Sequence, residues 1–180
     1  MEPSADKVEV AILTQDAYIR VHGRGTFKIG PSLKQFGSMV IERGCRRIIV
    51  EMQDCVGMDS TFMGIIAGLA TVLKKTQGEV VLRNLSEKNL FLIKMLGLVH
   101  LVTVDEAPLV EGLTENGCSL KVISDKRQMT EAMIKAHESL IDAAPDNIIK
   151  FKDVLAYLKE DIKRTAPPSG GVPAPPGQSR

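Results

Sequence analysis

The sequence predicts an α/β protein: a small, mostly parallel β-sheet opened by an N-terminal hairpin, helices packed on that sheet, and a helical extension at the C-terminus. Three observations predict it. Between residues 8 and 104 short β-rich runs alternate with stretches of helical periodicity, the pattern of strand–helix–strand crossovers. Two of those runs, "RRIIVEM" at 46–52 and "EVVLRN" at 79–84, are continuously apolar at their centres, as strands buried on both faces are. Beyond Pro145, Ile148, Phe151, Leu155, Leu158 and Ile162 step by threes and fours, the apolar seam of one more helix.

The elements follow in order. "VEVAILT" (8–14) and "AYIRVH" (17–22) read as two strands joined by a tight turn at Gln15 and Asp16. "GRGTFKIGPS" reads as a loop punctuated by glycines and Pro31. A first helix carries Leu33, Phe36, Met39 or Val40, and Ile41, and Gly44 suits its C-terminal end. After the strand at 46–52, a second helix is expected over about Ser60 to Lys75. Its apolar face is Phe62, Ile65, Ile66, Leu69, Val72 and Leu73, and Lys74 and Lys75 sit favourably in its last turn. Ser86 caps a third helix that Gly97 ends, and "HLVTV" (100–104) is a further strand. Past Val104 a short helix, a strand at 119–123 and a helix from Ser124 or Asp125 carrying Met129, Met133, Ala136 and Leu140 are expected. The seam of the last helix is expected to pack within the chain; a homodimer or partner interface through it is the alternative. Residues 1–143 thus read as one domain (core about 8–104, variable part 105–143), 144–163 as an appended helix and 164–180 as a disordered Pro/Gly-rich tail. No internal repeat is visible.

Composition removes several function classes. A net charge of +1 gives no electrostatic case for nucleic acid or an anionic membrane, and 4% aromatics without Trp argues against base-stacking platforms. No apolar run reaches the ~20 residues of a membrane span, and the N-terminus lacks a signal-peptide core. The three cysteines, Cys45, Cys55 and Cys118, are widely spaced, so neither a disulfide framework nor a zinc site is expected, and the reading is cytoplasmic. No metal or cofactor is expected. "GRGTFKIG" misplaces the third glycine of a dinucleotide fingerprint, and no P-loop occurs. His22, His100 and His137 fall on three different elements with no ligand spacing among them. Ser60 stands outside any Gly-x-Ser-x-Gly elbow, and no motif supplies it a base, so the chain is not read as an enzyme.

What remains is "CVGMDSTFMGI", residues 55–65. Asp59 or Ser60 is a natural N-cap for the helix that follows, which explains one polar residue but not three. Met58, Phe62 and Met63 are large apolar residues at an element boundary, and methionine-bearing surfaces suit adaptable partner contacts. Junctions of this kind, where strands end and helices start, are where sites form in sheets with parallel strands.

A strand leading through Asp-Ser-Thr into a helix, in this order of elements, resembles the STAS domain family, and within it the stand-alone anti-sigma factor antagonists. Their signature, Asp-Ser-Ser/Thr-Gly-apolar-Gly, reads here as Asp59-Ser60-Thr61-Phe62-Met63-Gly64, and "IIVEMQDCVGM" matches the family's preceding strand with an acidic residue, Asp54, before the motif. The resemblance spans about residues 8–104, with the helix near 126–142 matching the family's last helix. It implies a regulatory binding module whose Ser60 is the phosphoacceptor of a partner serine kinase that is also the anti-sigma factor. A phosphoserine phosphatase resets it. By position Asp59 and Thr61 support the phosphosite, and Asp54, Met58, Phe62 and Met63 face the partner. The family's common glycine is Phe62 here, which either blocks the close approach a glycine permits or serves as a hydrophobic anchor. The alternative is a phosphorylation-independent adaptor subunit of a transporter or of a lipid-transport ABC assembly.

Overall fold

The structure is a computed structural model and describes residues 6–110 and 117–165. Strands β1 (Lys7–Leu13) and β2 (Asp16–Gly25) form a hairpin in full register, from Leu13 opposite Asp16 to Lys7 opposite His22. The turn is Thr14–Gln15, one residue earlier than the sequence suggests, with Thr14 in the left-handed region at φ 58°. A single 3-10 turn, Phe27–Ile29, leads into α1 (Gly30–Glu42), which ends before Gly44 at φ 91°. Strand β3 (Arg47–Glu51) is followed by β4 (Cys55–Met58) and α2 (Ser60–Lys75). Next come β5 (Glu79–Arg83), α3 (Glu87–Met95) and β6 (Thr103–Asp105). Strand β7 (Cys118–Ser119), α4 (Lys126–Ala143), a 3-10 turn at Pro145–Asn147 and α5 (Ile148–Arg164) complete the described chain.

The sheet runs β6–β5–β3–β2–β1–β7. β2, β3, β5 and β6 are parallel; β1 is antiparallel to β2 and to β7. The expected order of strands and helices through residue 104 is therefore observed, with one strand added. β4 pairs in parallel with the far end of β2 after a register shift at Gly23–Arg24. Four residues, one of them glycine, carry too little alternation to announce a strand. The strand expected at 119–123 shrinks to Cys118–Ser119, extended by one bond from Leu120 N–H to the Val8 carbonyl. The expected short helix between 105 and 118 and the tail from 166 onward fall wholly or partly outside the described residues.

Alternation decides which side chains meet the helices. Val8, Val10, Ile19, Val21, Ile48, Val50, Val80 and Leu82 point to one face and form the main core with residues of α1, α2 and α3. Tyr18, Ala11, Ile49 and Val81 point to the other, where Val110 packs on them. The chain leaves β6 at one edge of the sheet and returns as β7 at the other, held at its start by Asn84, which exchanges two hydrogen bonds with Ala107.

α4 lies against α2 and α1. The approach to α2 is close because residue 64 is glycine: a Cβ there would run into the Ala136 carbonyl. α5 then folds back on α4 through Leu155 and Leu158, both buried against Ile134, while Phe151 reaches the main core. The apolar seam of the last helix is thus used within the chain; Ile148, its first member, is 51% exposed. The α4–α5 connection is pinned by buried Asn147, whose amide donates to the carbonyls of Leu96 (3.0 Å) and Leu140 (2.8 Å). Among the described residues no helix is long and apolar enough to cross a membrane.

Candidate functional site

The site is the junction between β4 and α2. Asp59 is extended there (φ −93°, ψ 170°), and its own N–H donates to the Gly25 carbonyl at 3.0 Å. One carboxylate oxygen accepts the Phe62 N–H at 2.8 Å, the N-cap bond that satisfies an orphan donor of α2. The other accepts the Phe27 N–H at 2.6 Å, tying the turn after β2 to the same helix start. Both oxygens are thereby spent on backbone donors.

Ser60 is the first residue of α2 and is half-buried. Its Oγ lies 3.0 Å from Nε2 of His137, seventy-seven positions away on α4. The other ring nitrogen, Nδ1, is 2.7 Å from the Met133 carbonyl. A carbonyl only accepts, so Nδ1 carries the proton and Nε2 is the acceptor; the Ser60 hydroxyl donates to it. His137 is 3% exposed and its ring meets that of Phe151 with centroids 4.9 Å apart. No motif could signal this partner, because only the packing of α4 on α2 brings it to the serine.

Thr61, Phe62 and Met63 are buried, Phe62 completely. The expected partner-facing roles of Phe62 and Met63 are corrected on this point: neither side chain is at the surface. The helical period that places Phe62 with Ile65, Ile66, Leu69 and Leu73 turns it to the sheet. There its ring fills the space left by Gly25, where a Cβ would lie 2.8 Å from it. Val72, expected on the same apolar face, is 45% exposed instead.

Met58 is half-buried and lines a cleft of about 200 Å³ with Arg24, Thr26, Val56, Lys88 and Leu92. Val56 is 62% exposed, an apolar surface residue that sequence reasoning left out. The cleft thus combines an apolar floor with two cations beside Asp59. Asp54 is exposed, but its carboxylate is engaged by Arg20 (2.9 Å) and His22 (3.4 Å). Those residues alternate with Ile19 and Val21, so Asp54 works on the sheet face opposite α2 and is not brought to Ser60. His22 also contacts Glu9, whose carboxyl Lys7 and His22 hold below the ordinary carboxylate range against a rise from burial. Burial pushes the Cys55 thiol up, so beside the motif it is a packed side chain and not a reactive thiolate. Among the described residues no cluster of His, Cys, Asp and Glu suits a metal ion.

The family model described as "STAS domain" matches residues 7–108. Among solved structures, the anti-sigma factor antagonist SpoIIAA in its unphosphorylated form is 21% identical, with a TM-score of 0.52 over 60% of this chain and 94% of that one. The Bacillus cell fate determinant SpoIIAA in the phosphorylated form is also 21% identical, with a TM-score of 0.50 over 60% of this chain and 97% of the other. At these identities the likeness is one of fold. No curated protein matches the chain.

Proposed function

The chain belongs to the STAS domain family, whose members are regulatory protein-interaction modules and not enzymes, and from that premise we propose that it is an anti-sigma factor antagonist switched by phosphorylation of Ser60. The observation that carries the reading is the position of Ser60: a half-buried serine on the first residue of α2, directly after Asp59, which lines a partly apolar cleft. In this reading the partner is a serine kinase that is also the anti-sigma factor, and a phosphoserine phosphatase reverses its action.

The switch is electrostatic. A phosphate adds about −1.5 to −2 charges at a helix N-terminus, which tolerates anions through its dipole and free N–H groups. Asp59 already caps the helix, so the fold survives while the surface at the start of α2, next to the cleft, turns anionic. A partner packed over Val56 and Met58 must then desolvate that charge, and binding weakens. Asp59 fixes the start of α2 and the adjoining turn, and Thr61 is packed in the core next to Ser60.

Incubating the full chain with a captured partner kinase and ATP, then mapping peptides, is expected to place phosphate on Ser60, and Ser60→Asp is expected to lose partner capture. Phosphate only on other residues overturns the site. A second reading, a constitutive adaptor of a transporter or lipid-transport ABC assembly, is favoured by the apolar residues α5 turns outward, Ile149 at 77% and Tyr157 at 66% exposed. Capture of an ATPase or transporter subunit, unchanged by Ser60→Asp, is its signature.

A further inference from the structure

We infer that His137 is the second half of the switch: it takes the hydroxyl proton of Ser60 as that serine is phosphorylated, and then, as an imidazolium, holds the phosphate. The inference rests on the reading of Ser60 as phosphoacceptor.

The geometry is complete before any modification. The Ser60 hydroxyl already donates to Nε2 at 3.0 Å, and the Nδ1–H bond to the Met133 carbonyl at 2.7 Å fixes both tautomer and ring orientation. In the transfer step the Ser60 oxygen attacks the terminal phosphorus of a nucleoside triphosphate held by the kinase. A P–O bond to the departing nucleoside diphosphate breaks, a P–Oγ bond forms, and the Oγ proton moves to Nε2. Nothing in the ring has to rotate. Nδ1–H keeps its carbonyl, and Nε2 changes from acceptor to donor toward the new phosphate.

Burial sharpens the contrast between the two states. A 3% exposed ring packed against Phe151 is well placed as a neutral acceptor, and a charge on it would lack solvation. A phosphoserine at 60 brings the compensating anion to the same nitrogen. Because His137 belongs to α4 and its ring packs at a tilt against Phe151 of α5, the state of Ser60 is felt by the helical hairpin that lies beyond the residues matched by the family model.

The test uses the full chain with phosphoserine encoded at position 60, so no kinase is needed. At about pH 8, where an ordinary histidine is neutral, nitrogen NMR of the imidazole is expected to find Nε2 unprotonated in the unmodified protein and protonated in the phosphoprotein. The phosphorus resonance of the phosphate is expected to titrate about one pH unit or more lower than in the phosphorylated His137→Gln variant. If that variant does not fold, the urea-unfolded phosphoprotein gives the reference midpoint. An Nε2 without a proton at about pH 8 in the phosphoprotein, or equal phosphate midpoints, overturns the inference. Neither outcome depends on whether cells phosphorylate Ser60, so failure here and failure of the functional reading are separate results.

Discussion

Asp59 was legible as a cap because capping is local: a short acidic side chain directly before a helical run has few other uses. Its second bond, to the Phe27 N–H, was not legible, since it joins segments brought together by the pairing of β4 with β2. Removing both bonds with Asp59→Ala is expected to cost about 2 kcal/mol, read as a shift of the urea unfolding midpoint. Asp59→Asn, which keeps an acceptor for the cap, is expected to cost less. Phe62 is the residue whose two sequence roles conflicted, helix core face and partner anchor, and packing decides for the core. Phe62→Ala is accordingly expected to destabilise the fold by about 3–5 kcal/mol, the cost of a large buried ring, measured by the same unfolding experiment. A change within about 0.5 kcal/mol would return Phe62 to the surface role. His137 read as a lone histidine because its significance lies entirely in a contact across seventy-seven positions.

At the scale of elements, α2 is legible from its ends: Asp59 and Ser60 at one, Lys74 and Lys75 at the other, with the apolar period between them. β4 escaped because a four-residue strand with a glycine, pairing across a bulge, depends on its neighbour more than on its own pattern. The contact of α4 with α2 depends on Gly64, which reads in sequence only as the motif's last residue. α4 and α5 are further joined by Glu138, 2.8 Å from Lys159 and 3.3 Å from Lys135. Lys159 first, and Lys135 with it, holds the Glu138 carboxyl below its ordinary 4.5 against a smaller rise from burial. A carboxyl lowered in the folded state contributes stability above its ordinary value and loses it as pH falls through the folded one. The melting temperature of the wild type is therefore expected to fall more steeply below pH 4.5 than that of Glu138→Gln, with the two curves converging in acid.

For the whole molecule, the alternation of strands and helices was enough to give the parallel core and the opening hairpin, because each element carries its own period. The edges were harder. β6 and β7 are short strands at opposite ends of the sheet, and their pairing is set by the chain's return from one edge to the other. The C-terminal hairpin is tied in by Asn147, Phe151 and Gly64, so it belongs to the packed body that carries Ser60. In the proposed function that serine is the point at which a partner's kinase activity meets the fold. Phosphopeptide mapping of the chain isolated from its native cells tests this most directly. A phosphorylated fraction whose phosphate sits on Ser60 and vanishes in Ser60→Ala is expected; phosphate confined to other residues, or none under any growth condition that alters partner binding, would contradict the proposed function.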